Sequence, residues 1–219
     1  NWGGASDTRT YTNCTFSGNV CEGGTGGMAD SCSRGGGAWE TSTAQFIHCT
    51  FAENKTAGRF QEGGGLYSAA NSGEGPVIEN CIFMGNAAMS GADLRGNILS
   101  KDFNLIGDPA GSTLTGAVAQ NIVGKEPKLG PLANNGGPNQ THAVTPGSPA
   151  VDVIPVASCP VKADQRGVVR PMGANADIGA FEADTVPPNV KAITAATPSP
   201  TNSKTVGFTV GFDEDVKNF

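Results

Sequence analysis

One seven-residue phrase occurs three times in the first half of the chain. It appears as Asn13-Cys14-Thr15-Phe16-Ser17-Gly18-Asn19, His48-Cys49-Thr50-Phe51-Ala52-Glu53-Asn54 and Asn80-Cys81-Ile82-Phe83-Met84-Gly85-Asn86. Each copy reads x-Cys-x-Phe-x-x-Asn. A second phrase alternates with it: Gly35-Gly36-Gly37-Ala38-Trp39, Gly63-Gly64-Gly65-Leu66-Tyr67 and, more loosely, Gly91-Ala92-Asp93-Leu94-Arg95. Ala38, Leu66 and Leu94 are spaced 28 and 28 apart. Repetition with a period of about 20–50 residues marks a solenoid or array. These units are short, alternate apolar with polar residues, and are rich in Gly and Asn. Nothing in them has helical spacing, so the repeat selects strands.

The expected fold is all-β, a parallel β-helix. Successive side chains of a strand point to opposite faces, so Cys14 shares a face with Phe16, Cys49 with Phe51 and Cys81 with Phe83. If one repeat makes one coil, the three Cys stack inside, and so do the three Phe. Asn19, Asn54 and Asn86 then close each strand at a turn, where Asn tolerates left-handed backbone and bonds nearby amides. The Gly triplets supply the bend into the next strand. A single coil cannot bury its own apolar face, so stacking alone makes the core.

Phe-x-x-Asn alternating with Gly-Gly-(Ala/Leu)-aromatic resembles the repeat of bacterial polymorphic outer membrane proteins and related right-handed β-helix surface proteins, over roughly residues 11–106. A later stretch carries a second resemblance. Leu129-Gly130-Pro131-Leu132-Ala133-Asn134-Asn135-Gly136-Gly137-Pro138 leads to Thr141-His142-Ala143-Val144 and Pro146-Gly147-Ser148-Pro149-Ala150-Val151-Asp152. Asp164-Gln165-Arg166-Gly167, Arg170-Pro171 and Asp177-Ile178-Gly179-Ala180-Phe181-Glu182 follow. This resembles the choice-of-anchor Q region of secreted bacterial β-helix proteins, over about residues 103–182. That family often has a Cys before Asp-Ile-Gly-Ala-Phe-Glu, suited to pair with the residue matched by Cys159. Here Ala176 stands in its place, so the resemblance implies an unpaired Cys159.

These readings divide the chain into β-helix coils (1–106), a C-terminal coil and cap (107–183), and a linker with the first strands of an immunoglobulin-like module (184–219). The cap covers the apolar end of the last coil, which otherwise exposes unpaired strand groups. Ala150–Ile154 and Ile178–Phe181 are its apolar runs, and Arg166 and Arg170 with Asp152, Asp164 and Asp177 make an ion network tying its loops together. In the last part, Asp184-Thr185-Val186-Pro187-Pro188 begins a linker, Val190–Ala195 reads as a strand, and Pro198–Ser203 reads as a turn. Val206, Phe208, Val210 and Phe212 alternate with Thr205, Gly207, Thr209 and Gly211, the clearest period-2 pattern in the chain. This part resembles the start of a bacterial immunoglobulin-like repeat. The chain opens Asn-Trp-Gly-Gly and reads as an internal cut in a longer protein, with residues 1–10 the remnant of an earlier coil.

Composition narrows the partners. Net charge is −6 with no basic cluster, which argues against nucleic acid, and no apolar run approaches the roughly 18–20 residues of a membrane span. Of the 6 Cys, the three in the repeat read as buried thiols. Cys21 and Cys32 are a candidate disulfide across the Gly-rich segment Val20–Arg34, which fits an extracellular setting.

Little suggests catalysis. Polysaccharide-cleaving sites gather carboxylates on one face, but Glu40 aligns with Ser68, Glu53 with Gly85, and Glu62 with Ser90. Trp39, Tyr67 and Arg95 do align, as an outward stripe and a candidate ligand surface. His48 neighbours inward Cys49 and is expected to face solvent, while His142 is expected to bond a cap backbone group. The Gly23–Gly27 run lacks the Lys of a phosphate loop. No cofactor is expected; the trio Asp213-Glu214-Asp215 is the only candidate contact for calcium, and it lacks the spacing of a calcium loop. Of the sequons at Asn13, Asn54 and Asn139, a glycan on Asn54 would conflict with stacking.

The expectation is a structural or adhesive extracellular protein, a rigid shaft or filament component on a bacterial cell surface. It is not expected to be an enzyme. Its partners would be other modules of the same chain, copies of itself, or surface polysaccharide. Two alternatives stand beside it: a carbohydrate-binding or polysaccharide-degrading protein with its site in further N-terminal coils, and a filament subunit joined by strand exchange through 205–212.

Overall fold

The computed structural model describes residues 9–23, 32–41, 43–58, 60–70, 75–197, 201–202 and 204–213, apart from the side chains of Cys32 and Phe60. The expectations for residues 1–8, the Gly24–Gly27 run, most of the 198–203 turn, and Glu214 and Asp215 lie outside these residues. The chain divides into two compact units, Asn1–Asp184 and Thr185–Phe219.

The first unit is all-β with parallel sheets. Its chain makes successive passes, each hydrogen-bonded to the one before. The first pass supplies β1 (Thr10–Thr12), β2 (Thr15–Ser17), β3 (Val20–Glu22), β4 (Cys32–Arg34) and β5 (Ala38–Glu40). The second supplies β6 (Gln45–Ile47), β7 (Thr50–Ala52), β8 (Lys55–Ala57), β9 (Phe60–Glu62) and β10 (Leu66–Ser68). Then come β11 (Val77–Glu79), β12 (Ile82–Met84), the long β13 (Leu94–Lys101), β14 (Leu105–Ile106), β15 (Ser112–Ala117) and β16 (Ile122–Val123). One sheet runs β1-β6-β11-β13-β10-β5, with β15 also on β13, and a second runs β16-β14-β12-β7-β2. Strands β3 and β8 pair, as do β4 and β9.

Register follows the sequence phrases. Phe16 lies opposite Phe51 and Phe51 opposite Phe83. Ala38 lies opposite Leu66 and Leu66 opposite Leu94. The inner residues form one core, with Phe46, Cys49, Phe51, Leu66, Ile78, Cys81, Phe83, Leu94 and Ile106 fully buried. Phe16 and Phe51 stack at 4.4 Å, Phe51 and Phe83 at 4.6 Å. A second aromatic pair, Tyr11 and Phe46, stacks at 4.9 Å. The thiols line one corner of this core. Cys49 Sγ donates to Tyr11 O at 3.4 Å and Cys81 Sγ to Phe46 O at 3.3 Å, each reaching the pass before.

Asn54 and Asn86 bond backbone as expected, Asn54 Nδ2 donating to Phe16 O at 2.9 Å and Asn86 Nδ2 to Phe51 O at 3.0 Å, but the left-handed turn expected of the Asn residues lies elsewhere. Left-handed backbone falls on Gly18, Glu53 and Gly85, one position earlier, and on Asn13, His48 and Asn80 before each Cys. The buried Asn54 and Asn86 form an amide ladder that starts on the exposed Asn19. Asn19 Nδ2 donates to Asn54 Oδ1, and Asn54 Nδ2 to Asn86 Oδ1, both at 2.8 Å. Asn86 Nδ2 ends the ladder on Asp93 Oδ1 at 2.7 Å. The reason is inward orientation: a buried amide must find partners for its donors and its acceptor, and the neighbouring pass supplies them in register. The Gly triplets also divide their work. Gly35, Gly63 and Gly91 have φ of +67°, +64° and +66°. The second glycine permits close approach, since a Cβ at Gly36 would sit 2.4 Å from Gly64 O, and one at Gly64 2.5 Å from Ala92 O.

Residues 129–183 do not cover the end of the stack, as a cap would. They lie along the outer face of the second sheet, touching every pass. Asn13 Nδ2 donates to Ala163 O at 2.7 Å, Thr15 Oγ1 to Gln165 Oε1 at 2.6 Å, and Ala180 N to Thr50 Oγ1 at 3.0 Å. Strands β17 (Leu129–Ala133) and β18 (Thr141–Val144) pair antiparallel; the rest is irregular. The physical cause is that the outer face turns apolar along the stack. Ile82 and Leu105, which point away from the first core, join Val144, Ala150, Ile154, Ala176, Ile178 and Phe181 in a second buried core.

The second unit is an antiparallel hairpin, β19 (Val190–Ala195) and β20 (Phe208–Phe212). Thr205, Val206 and Gly207, expected in the strand, precede it. Ile193 and Val210 face each other across the pair and remain exposed, as do Val190 and Phe208.

Candidate functional site

Besides the Asn ladder, three constellations stand out among the described residues of the first unit. The first is the outward stripe. Trp39, Tyr67 and Arg95 occupy one register line across β5, β10 and β13, with Trp39 52% exposed. In the neighbouring column, Glu62 is bound by Arg34 Nε at 2.9 Å and Arg95 Nη2 at 3.2 Å. The Arg34 bond, outweighing partial burial, holds the Glu62 carboxyl below its ordinary range. The Arg34 guanidinium also lies 5.3 Å from the Tyr67 ring centre.

The second is a buried charged seam inside the 129–183 segment. Arg170 and Glu182 form a fully buried ion pair at 2.6 Å, and Arg170 also donates to Asp177 O and Gly179 O. Arg166 pairs with Asp164 at 2.7 Å and covers the Phe181 ring at 3.6 Å. Asp177 accepts from the Asp152 and Ala183 amides, and Asp164 Oδ2 from the Glu182 amide. Burial raises the Asp177 carboxyl to about 7 and pushes Glu182 up and Arg170 down. Such desolvation penalises each ion until its partner and backbone donors offset it. The sequence reading puts Arg166, Arg170, Asp152, Asp164 and Asp177 in one network; the structure ties Asp152 to it through its amide on Asp177, with its carboxylate accepting from Asn175 N at 3.1 Å. Glu182, the direct partner of Arg170, was not legible; its only signal is its place at the end of Asp177-Ile178-Gly179-Ala180-Phe181-Glu182.

The third comprises the two histidines. His48 is fully buried, not solvent-facing. It does point away from the first core, but the 145–183 segment covers that side. Its Nε2 lies 3.1 Å from Asn80 Nδ2 and 3.6 Å from Cys159 Sγ. Burial, reinforced by the Arg170 charge, lowers its imidazole to about 3, so the ring is neutral and unsuited to general-base work near neutrality. His142 Nδ1 donates to Gly130 O at 2.8 Å, and its Nε2 meets Ser17 Oγ at 2.8 Å. It clasps the β17–β18 ribbon to the first pass, a contact that no local pattern announces.

Cys14, Cys21, Cys49, Cys81 and Cys159 are free thiols. Cys21 thus makes no disulfide here, and the side chain of Cys32, its expected partner, lies outside the described residues. The hydrogen bond with Cys49 and partial burial raise the Cys14 thiol, and burial raises Cys49, so neither is a reactive thiolate. Among the described residues no group of three or more His, Cys, Asp or Glu is placed to hold a metal ion, and no helix is long and apolar enough to cross a membrane. Glu40 is buried facing Ser68 and Glu62 is ion-paired, so the repeat carboxylates do not gather. No family model matches the chain, nor does any curated protein or solved structure.

Proposed function

We propose that the first unit is a stretch of right-handed parallel β-helix, and that the chain serves as a structural, adhesive shaft on the outer surface of a bacterium. In this reading, residues 1–106 are coils, 107–183 a final coil with its covering segment, and 184–219 a linker and the first strands of an immunoglobulin-like module. The resemblances to polymorphic outer membrane repeats and to the choice-of-anchor Q region motivate the bacterial surface.

The observation that carries the proposal is the continuity of interior columns from pass to pass. A ring column, a thiol column and an amide ladder each bind one pass to the next. Such an array resists bending and shear, because every pass is bonded along its length to its neighbours, as in other quasi-one-dimensional folds. Single-molecule pulling from both ends of residues 9–184 tests it. A shaft releases passes stepwise, with increments of about 6–13 nm at roughly 3.6 Å per residue. One low-force transition with no intermediate steps would sink the shaft reading.

The hairpin favours a second reading. Two strands alone are marginal in water, and here Ile193 and Phe208 are 63% and 62% exposed. Strand exchange through 205–212 would bury that face in a neighbouring copy. Light scattering across concentration separates the readings: monomers throughout leave a module in cis, whereas assembly that disappears on deletion of 185–219 favours exchange.

A further inference from the structure

We propose that Trp39 and Tyr67, bordered by Arg34, Glu62 and Arg95, form a binding platform for a neutral polysaccharide. The shaft proposal makes no use of this face. Four observations converge on it.

First, Trp39 is outward and half exposed, whereas Phe16, Phe46, Phe51 and Phe83 all point into the first core. Second, parallel pairing sets Tyr67 directly beside Trp39, at the roughly 4.8 Å spacing of adjacent strands. The two side chains thus supply neighbouring rungs of one surface, and Arg95 supplies the third.

Third, the turn beside each rung carries no side chain. A Cβ added at Gly35 would lie 2.7 Å from Trp39 Cβ, one at Gly63 2.7 Å from Tyr67 Cβ, and one at Gly91 2.8 Å from Arg95 Cβ. Any larger residue would crowd the stripe there, and all three positions are left-handed besides. The turns at Gly35 and Gly63 therefore place no side chain of their own against Trp39 and Tyr67, while at the Arg95 rung the Gly111 turn packs beside Gly91.

Fourth, the polar border is fixed in place. Glu62 holds Arg34 and Arg95 together, and Arg95 Nη1 donates to Gly111 O at 3.1 Å. Pre-oriented donors and an acceptor beside apolar rings suit a ligand with a C–H face and a hydroxyl edge, which describes a pyranose. Aromatic side chains with one apolar face and nearby polar groups are suited to such amphipathic surfaces.

Charge selects within the sugars. Two guanidinium groups flank one carboxylate, a local balance of about +1, but the whole chain carries −6. That field repels a polyanion at long range. The patch is also a binding surface without cleavage chemistry, since a hydrolytic pair needs two carboxylates facing one bond, and Glu62 is held by two arginines.

Affinity electrophoresis of the full chain tests this, in native gels cast with hydroxyethylcellulose, xylan or polygalacturonate. The expected result is retardation in at least one neutral gel. Trp39→Ala should weaken it about tenfold, the loss expected when one aromatic contact is removed. Phe208→Ala, which removes an exposed ring on the hairpin, should leave it unchanged. Circular dichroism of each variant confirms the fold, and an outward, half-exposed Trp can be truncated without a core cavity. Migration unaffected by either neutral gel, retardation in polygalacturonate alone, or equal retardation of Trp39→Ala and wild type would each overturn the proposal.

Discussion

Truncating Phe51 tests the interior stack most directly. Its ring is fully buried between Phe16 at 4.4 Å and Phe83 at 4.6 Å, with planes within 6° and 15° of parallel. Phe46 meets it edge-on at 5.3 Å. Removing a buried Phe side chain costs about 3–5 kcal/mol, and aromatic pairs add about 0.5–1.5 kcal/mol beyond area. With both faces and an edge in contact, Phe51→Ala belongs at the top of that range, about 5 kcal/mol. Phe16 is only partly buried, with one face stacked on Phe51. Phe16→Ala should therefore cost about half as much, roughly 2 kcal/mol by the same scale. The gap of about 3 kcal/mol corresponds to roughly 1–1.5 M in urea midpoint for a slope of 2–3 kcal/mol/M. Urea titration followed by far-ultraviolet circular dichroism measures both variants. Equal midpoints, or a larger loss for Phe16→Ala, would refute a continuous stack with Phe51 at its centre.

Three further outcomes are expected. Gly179→Ala would place a Cβ 2.7 Å from Ile82 Cδ1 and 2.8 Å from Thr50 Oγ1, at a φ of +94°. It should cost about 2 kcal/mol or more and speed hydrogen exchange at Ala180, leaving Phe51 protected; exchange mass spectrometry checks both. Glu182→Gln strips Arg170 of its buried carboxylate and should cost about 3–5 kcal/mol in urea unfolding, whereas a loss below 1 kcal/mol would contradict the buried pair. For pH, the His48 imidazole is lowered to about 3 in the fold, against about 6.5 unfolded. Its contribution is therefore present above about pH 6.5 and lost as pH falls toward 3. Asp177, raised to about 7, has the opposite sign: its contribution is present below about pH 4 and lost as pH rises toward 7. Glu40, Asp93 and Glu182, also raised by burial, share the sign of Asp177. His48→Gln should consequently gain on the wild type as pH falls from 6.5 to 4, by up to about 1.4 kcal/mol per pH unit. A thermal-stability gap independent of pH would rule this out.

What the sequence displayed was governed by local alternation. The inward Cys and Phe and the outward direction of Trp39 and Tyr67 follow from period 2, and the 28-residue offset of Ala38, Leu66 and Leu94 follows from the repeated phrase. What it concealed depends on contacts between distant segments. His48 points outward as alternation requires, yet it is buried because residues more than a hundred positions away cover it. The same holds for Ser17 with His142 and Thr50 with Ala180. A partial signal existed in the outward positions of the second sheet, where Thr15 and Thr50 give way to Ile82 and Leu105. Apolar outward residues require a cover, although they do not say which segment supplies it. The Asn positions were legible as stacked residues that bond backbone, but their amide-to-amide ladder was not. A turn and an interior ladder both favour Asn, and only the strand register separates them.

The passes also shorten along the chain. Thr15 lies opposite Thr50, Thr50 opposite Ile82, Ile82 opposite Leu105 and Leu105 opposite Ile122, so each pass uses 35, then 32, 23 and 17 residues. The last strand of the second sheet, Ile122–Val123, is two residues long. Its neighbour on the other sheet, Ser112–Ala117, is lined with Ser, Thr and Gly and kinks at Gly116, where φ is +83°. Short, polar, irregular edges are poor templates for foreign strands. A copy meeting the narrow side would find a two-residue strand beside a polar one kinked at Gly116, a poorer seed for fibrils than a flat, apolar, full-width edge.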